Sequence, residues 1–234
     1  MKIHGIQKLT LIDYPGKTAA TLFFNGCNLK CPFCHNAVLI DNEGESDGMG
    51  EDEALSFLQT RKNKLDGVCI SGGEPLMQIG IENFIEKIKK LGFLVKLDTN
   101  GTVYEKLKLL TENKLIDYVA MDIKNSIKNY GKTVGMENFN TSEVEKSADF
   151  LMNSDLPYEF RTTVTRELHS AEDFHLIGKR FENAEQYFLQ QFVNSSGVTI
   201  KNLSANLSAY GKEEMLEFIN ILSQYIPSAT LRGV

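Results

Sequence analysis

Short apolar runs alternate with amphipathic segments along most of this 234-residue chain, and few architectures tolerate that order. Residues 18–25 (Thr-Ala-Ala-Thr-Leu-Phe-Phe-Asn) read as a strand buried on both faces. Residues 51–62 follow as a helix with Ala54, Leu55 and Leu58 on one face, and residues 65–71 as a second strand. A helix over 79–91, with Ile81, Phe84, Ile85 and Ile88 in register, stops at Gly92 before a strand over 93–98. The beat continues with a helix over 103–112 and a strand over 117–123. A helix over 142–153, capped by Ser142 with Glu145, precedes a strand over 158–164. Another over 170–181, capped by Ser170 with Asp173, precedes a sixth strand over 186–193. A last helix over 212–225 lines up Met215, Phe218, Ile219 and Leu222. Residues 1–17 read instead as a turn-rich lead-in that Pro15-Gly16 reverses, with Asp13 and Tyr14 as turn residues, and residues 41–50 as an acidic connection.

Six such beats imply parallel strands joined by right-handed helical crossovers, in a doubly wound sheet or a barrel. Periodicity leaves both open. In both, ligands collect at the C-terminal ends of the strands. The length suits one α/β domain over residues 1–234.

The first strand runs into Gly26-Cys27-Asn28-Leu29-Lys30-Cys31-Pro32-Phe33-Cys34-His35-Asn36, which holds three of the four cysteines. A tight loop with this spacing can aim all three sulfurs at one centre, one short of a closed tetrahedral site. Structural zinc would need a fourth ligand, and His35 is badly placed beside Cys34. The Cys31-Pro32-Phe33-Cys34-His35 run also fits covalent haem attachment, but nothing N-terminal exports the chain and Cys27 would be idle. A thioredoxin-like pair would again strand one cysteine. A three-cysteine iron–sulfur cluster uses them all.

The C-x-x-x-C-x-x-C spacing, with aromatic Phe33 before the last cysteine, resembles the signature of the radical S-adenosylmethionine (SAM) superfamily. The resemblance implies that Cys27, Cys31 and Cys34 hold three irons of a [4Fe–4S] cluster whose fourth iron is chelated by SAM. It also implies an open (β/α)6 partial barrel. Gly72-Gly73-Glu74-Pro75, by itself a βα turn, resembles the family's second signature, whose backbone meets the methionyl amino group of SAM. Phe33, Gly72, Gly73 and Glu74 are thus implied at the cofactor, and Glu74 also reads as a residue that holds the loop.

Asp98-Thr99-Asn100-Gly101 and Met121-Asp122-Ile123-Lys124 end the third and fourth strands. Blandly they are an Asx turn and solvated charges. They resemble segments of the glycyl-radical-enzyme activases, and that likeness implies a monovalent cation bound by Asp98, Thr99, Ala120 and Asp122. It further implies that Asn100 lies at the cofactor and that Lys124 and Arg161 contact SAM. An arginine on an apolar strand must in any case find an anion, and an ion pair with Glu159 or another carboxylate would serve. The sixth strand offers no histidine where the formate-lyase activase has one, leaving Gln191 as a substitute. Cys69 reads as a core residue, a second all-cysteine cluster is impossible with four cysteines, and His4, His169 and His175 receive no role.

The ensemble looks most like the activating proteins of anaerobic ribonucleoside-triphosphate reductase. That likeness implies reductive SAM cleavage, a glycyl radical on the partner, and an electron donor such as flavodoxin or ferredoxin. Alternatives are an activase of a pyruvate formate-lyase-type enzyme, a small-molecule enzyme like 7-carboxy-7-deazaguanine synthase, and a non-enzymatic metal-binding module. A hydrophobic fraction of 42% and a charged fraction of 24% are ordinary for a folded domain. The net charge of −6 argues against nucleic acid as a partner. No stretch approaches a membrane span and no apolar signal core opens the chain, so the expected location is the cytoplasm, with no membrane partner.

Overall fold

A computed structural model of the chain describes residues 1–41, 48–193 and 207–233. Most of the expected acidic connection, residues 42–47, and the terminal Val234 lie outside them. The strands are β1 (Lys2–Thr10), β2 (Ala19–Phe24), β3 (Met49–Gly50), β4 (Gly67–Gly72), β5 (Leu94–Thr99), β6 (Tyr118–Asp122), β7 (Tyr158–Val164), β8 (Tyr187–Gln191) and β9 (Thr230–Arg232). The helices are α1 (Ala37–Asp41), α2 (Glu51–Arg61), α3 (Ile81–Lys90), α4 (Tyr104–Glu112), α5 (Tyr130–Thr133), α6 (Ser142–Met152), α7 (Ala171–Arg180) and α8 (Lys212–Leu222). One sheet takes the order β3-β1-β2-β4-β5-β6-β7-β8-β9, parallel from β2 onward and antiparallel at β1 and β3. This is the expected α/β architecture, an open partial barrel with helices along one face.

Each predicted strand and helix is present, with ends shifted by a few residues. Three strands were not legible, and one of them, β3, is only two residues long at the end of the expected acidic connection. β1 was read as a lead-in because it is a half-exposed strand whose register against β2 slips twice, which destroys the period-two signal. β9 is three residues long, too short to show a period. The α6 cap also differs: Thr141 is the N-cap and its hydroxyl bonds Glu145 at 2.7 Å, while Ser142 is already helical. On α7 the capping box of Ser170 and Asp173 forms as expected. Asp13 and Tyr14 do more than turn the chain. Tyr14 is buried beside Cys69 and Ala19, and Asp13 accepts a 2.6 Å bond from the Thr21 hydroxyl.

Strand side chains alternate between two faces. The outer set includes Leu22, Phe24, Val68, Ile70, Val95, Leu97, Val119, Met121, Phe160 and Leu189, all fully buried in one core with the apolar faces of the helices. Phe84 of α3, for example, meets Phe24 edge-on at 6.1 Å. Burial of each such side chain stabilises the fold by roughly 1.5–3 kcal/mol. The inner set is mostly polar. Glu159 is 1% exposed and takes a two-pronged bond from Arg232, at 2.7 and 2.8 Å, which ties β9 to β7 across β8. That pairing leaves Arg161, two residues on, for other partners. Among the described residues no helix is long and apolar enough to cross a membrane.

Candidate active site

The C-terminal ends of β2, β4 and β5 are welded together by their loops. After β2 the chain enters the cysteine loop, whose own turn is closed by Cys34 N–H to Cys31 O at 3.1 Å and by Leu29 N–H to Cys27 Sγ at 3.4 Å. The loop after β4 lies directly on it: Gly73 N–H donates to Phe24 O at 2.9 Å and Glu74 N–H to Gly26 O at 2.8 Å. Only glycine permits this approach. Gly72 holds φ at +123°, and a Cβ on Gly73 would stand 1.9 Å from the Gly26 carbonyl oxygen. Asn36 Nδ2 and Gln78 Nε2 add bonds across the same seam, to Gly72 O at 2.8 Å and Asn25 O at 2.7 Å.

Glu74 carries the brace onward to β5. Fully buried, it accepts from Leu76 N–H at 3.1 Å, the Thr99 hydroxyl at 2.9 Å and Asn100 N–H at 2.7 Å. Burial pushes its carboxyl from an ordinary 4.5 up to about 7, although the three donors pull the other way. A folded-state value above the unfolded one means that this contribution to stability is complete below the unfolded value and disappears as pH rises through 7. Thermal stability of the metal-free protein is therefore expected to fall between about pH 5 and about pH 8, and Glu74→Gln to remove that component of the slope. An unchanged slope in the variant, read by thermal denaturation, would refute the assignment.

Asn100 is a further brace. Its amide donates to Asn28 Oδ1 at 3.0 Å and lies 3.7 Å from Cys27 Sγ, while its oxygen accepts from Thr102. Asn28 closes the ring by donating to the Thr102 hydroxyl at 2.7 Å.

A cavity of about 380 Å³ opens above these ends, within the roughly 300–1,000 Å³ usual for small-ligand sites. Cys27, Cys31, Phe33 and Cys34 are in its lining, with Gly72 and Gly73, and with Asp98, Thr99, Asn100, Asp122, Lys124 and Arg161. Of the residues singled out in the sequence, Glu74 and Ala120 do not line it: both are fully buried behind it. Gln191 also points elsewhere, its amide bonding Tyr210 O at 2.7 Å, and Gln190 faces the cavity instead. Gln190 pairs with Thr163 in register, two residues beyond Arg161, so strand parity could have found both. Ser71, whose hydroxyl donates to Asp98 at 3.0 Å, follows from the same parity.

His169, given no role from sequence, is buried with Nδ1 accepting from Thr165 N–H at 3.2 Å and Nε2 2.9 Å from Lys124 O. It props the backbone from which Lys124 reaches the cavity. No sequence signal marked it.

Charge in the cavity is tightly paired. Arg161 bonds Asp122 at 2.9 Å and reaches Asp98 at 3.6 Å, and Lys124 bonds the other Asp122 oxygen at 2.9 Å. Burial alone would raise the Asp122 carboxyl, but the Arg161 and Lys124 charges more than reverse it and hold it at about 2. The thiols behave oppositely: burial pushes Cys31 up to about 12 and Cys27 upward too, so metal must displace their protons to bind.

The model of the radical SAM superfamily matches residues 21–166, which span the cysteine loop and the ends of β4, β5, β6 and β7. The chain belongs to the radical SAM superfamily. It is therefore an enzyme of radical chemistry whose cofactors are a [4Fe–4S] cluster and SAM. The radical SAM chain is 33% identical, over 99% of its own length and 96% of the other's, to a Methanocaldococcus jannaschii protein provisionally named a glycyl-radical enzyme activating enzyme. It is 26% identical, over 92% of its length, to the pyruvate formate-lyase 1-activating enzyme of Escherichia coli, of which 98% is covered. The crystal structure of Streptococcus suis SuiB bound to its precursor peptide SuiA shares the fold with a TM-score of 0.71 at 16% identity, over 91% of this chain and 48% of SuiB.

The donor set fits the cluster. Three thiols, none of them in a disulfide, share one loop and one cavity. Among the described residues no three His, Cys, Asp or Glu side chains converge as a single metal ion would require, whereas a four-iron cluster places each sulfur on a separate iron.

Proposed function

We propose that this radical SAM enzyme activates a glycyl-radical enzyme, with anaerobic ribonucleoside-triphosphate reductase as the partner. The observation that carries the reading is a cavity in which three thiols face a ring of fixed charges, in a chain similar over nearly its whole length to proteins named as such activases. In this reading Cys27, Cys31 and Cys34 hold three irons. The Gly72–Gly73 backbone receives the methionyl amino group, and Lys124 and Arg161 receive the carboxylate, a planar anion suited to the guanidinium. Phe33 walls the cluster. Glu74 and Asn100 act as positioning residues, since their polar atoms are spent on the loops.

When bound, the cluster and SAM would supply the one-electron chemistry that cleaves SAM to methionine and 5′-deoxyadenosine and draws a hydrogen atom from a partner glycine. The chain's task is to orient SAM and keep water and oxygen out. The reductase partner rests on the Gly26–Asn36 motif, and a formate-lyase-type partner is the second reading, favoured by the similarity to the Escherichia coli enzyme. A small-molecule substrate is the outcome if neither partner responds. The reading also carries a cytoplasmic site and a flavodoxin or ferredoxin as donor.

The test is electron paramagnetic resonance of the anaerobically reconstituted enzyme with SAM, reductant and a candidate reductase. A glycyl doublet, with deoxyadenosine formed alongside, is the expected result. Deoxyadenosine without a doublet, for the reductase and a formate-lyase-type enzyme alike, would overturn the activase reading and leave SAM cleavage intact.

A further inference from the structure

Lys96 lies two residues before Asp98 on β5 and so shares its inward face. It is 1% exposed, and its Nζ bonds Asp98 Oδ1 at 2.5 Å. Its neighbours across the sheet are Cys69 on β4 and Tyr118 on β6, neither of which carries positive charge. A lysine in this position has no route to water and one carboxylate to answer it. Burial without that pairing would cost several kcal/mol, so the pair is a fixed part of the lumen.

The effect on the two aspartates is complete. Asp98 Oδ1 faces Lys96, and Asp98 Oδ2 faces Ser71 at 3.0 Å and Arg161 at 3.6 Å. Asp122 Oδ1 faces Arg161 and Oδ2 faces Lys124, both at 2.9 Å. No carboxylate oxygen of the pair is left over. Lys124 and Arg161 are at the cavity wall, where an incoming carboxylate can share them. Lys96 is not in that wall and stays with Asp98 whatever enters. A monovalent cation held by Asp98, Thr99, Ala120 and Asp122 therefore fits poorly, because its charge is already supplied from beneath.

We propose that the Lys96 ammonium is a built-in counter-charge that does the work of a monovalent cation at Asp98, so that SAM binds without potassium or sodium. The proposal rests on the reading of this cavity as the SAM site. Potassium and an ammonium group are of similar size, so removal of the lysine side chain opens room for the ion.

The test is equilibrium dialysis of SAM against the reconstituted enzyme in about 0.1 M potassium chloride and in about 0.1 M tetramethylammonium chloride, whose cation is too large to enter, at matched screening. Wild-type affinity is expected to agree within about twofold in the two salts. Lys96→Ala is expected to lose about tenfold or more in tetramethylammonium and to recover most of it in potassium. If Lys96→Ala fails to retain its cluster absorbance, Lys96→Met replaces it with the bulk kept and the charge removed, and loss in tetramethylammonium is the expected result. A wild-type enzyme that binds SAM in potassium but about tenfold more weakly in tetramethylammonium would overturn the proposal, as would a Lys96 variant that binds SAM in tetramethylammonium as tightly as the wild type. Absence of SAM binding in either salt would overturn the site reading beneath it, and the potassium measurement distinguishes the two failures.

Discussion

Cys31→Ala is expected to leave a folded protein that assembles no stable cluster and forms deoxyadenosine at least about 10³-fold more slowly than wild type, a loss of about 4 kcal/mol of transition-state stabilisation. Cys31 is the middle ligand of the proposed three, 6% exposed at the base of the cavity. Its carbonyl accepts from Cys34 N–H, and the adjacent Lys30 N–H is anchored to Val134 O at 3.1 Å. These bonds are backbone bonds and survive the substitution, so the loop keeps its path while losing its sulfur. Deleting so small a buried side chain costs about 1 kcal/mol in packing, far too little to unfold the domain. Iron content, cluster absorbance and chromatographic product assay read the result. Cys69→Ala is the control: Cys69 is also buried but sits mid-strand beside Tyr14, and its loss should leave iron content unchanged. Wild-type iron and turnover in Cys31→Ala would exclude the cysteine loop as the cluster site.

Gly73→Ala is expected to weaken SAM binding by at least about tenfold and to lower the melting temperature by several degrees, the scale of 1–3 kcal/mol for overpacking. The reason is backbone against backbone. The new Cβ would stand 1.9 Å from Gly26 O and 2.6 Å from Gly26 C, so no side-chain rotation relieves it and the cysteine loop itself must move. That movement breaks the Gly73 N–H to Phe24 O and Glu74 N–H to Gly26 O bonds together. Gly50→Ala, with nothing within 4 Å of the added Cβ, should change SAM binding by less than about twofold. Equal binding by Gly73→Ala and wild type would mean that the two loops are not seated on each other as described.

Much of this site was legible from residue identity and spacing. Three cysteines in one loop after an apolar strand implied a cluster, and Gly72-Gly73 after the next strand implied close backbone approach. Both loops line the cavity. The strand-end residues Asp98 and Asp122 were marked through the likeness to the activases, and Arg161 because an arginine within an apolar strand must find an anion. Glu74 and Asn100 were marked too, Glu74 both as a cofactor contact and as a holder of its loop and Asn100 as a cofactor contact, and both side chains make hydrogen bonds that brace loops. Residue type cannot separate these roles, because a carboxylate or an amide serves equally well at either.

The sequence by itself determined the period of the elements, hence the βα order, and the thiol chemistry that a cluster needs, because both are local properties of the chain. Tertiary structure decided the rest. The slipped pairing of β1, the attachment of β9 through Glu159 and Arg232, the prop of His169 beneath Lys124, and the choice of Gln190 over Gln191 all depend on register. So does the pairing of Lys96 with Asp98 while Arg161 spans Asp98 and Asp122. Register is set by contacts between residues tens of positions apart, and a one-residue slip exchanges the inner face for the outer. Which charge answers which is therefore written in the assembled sheet.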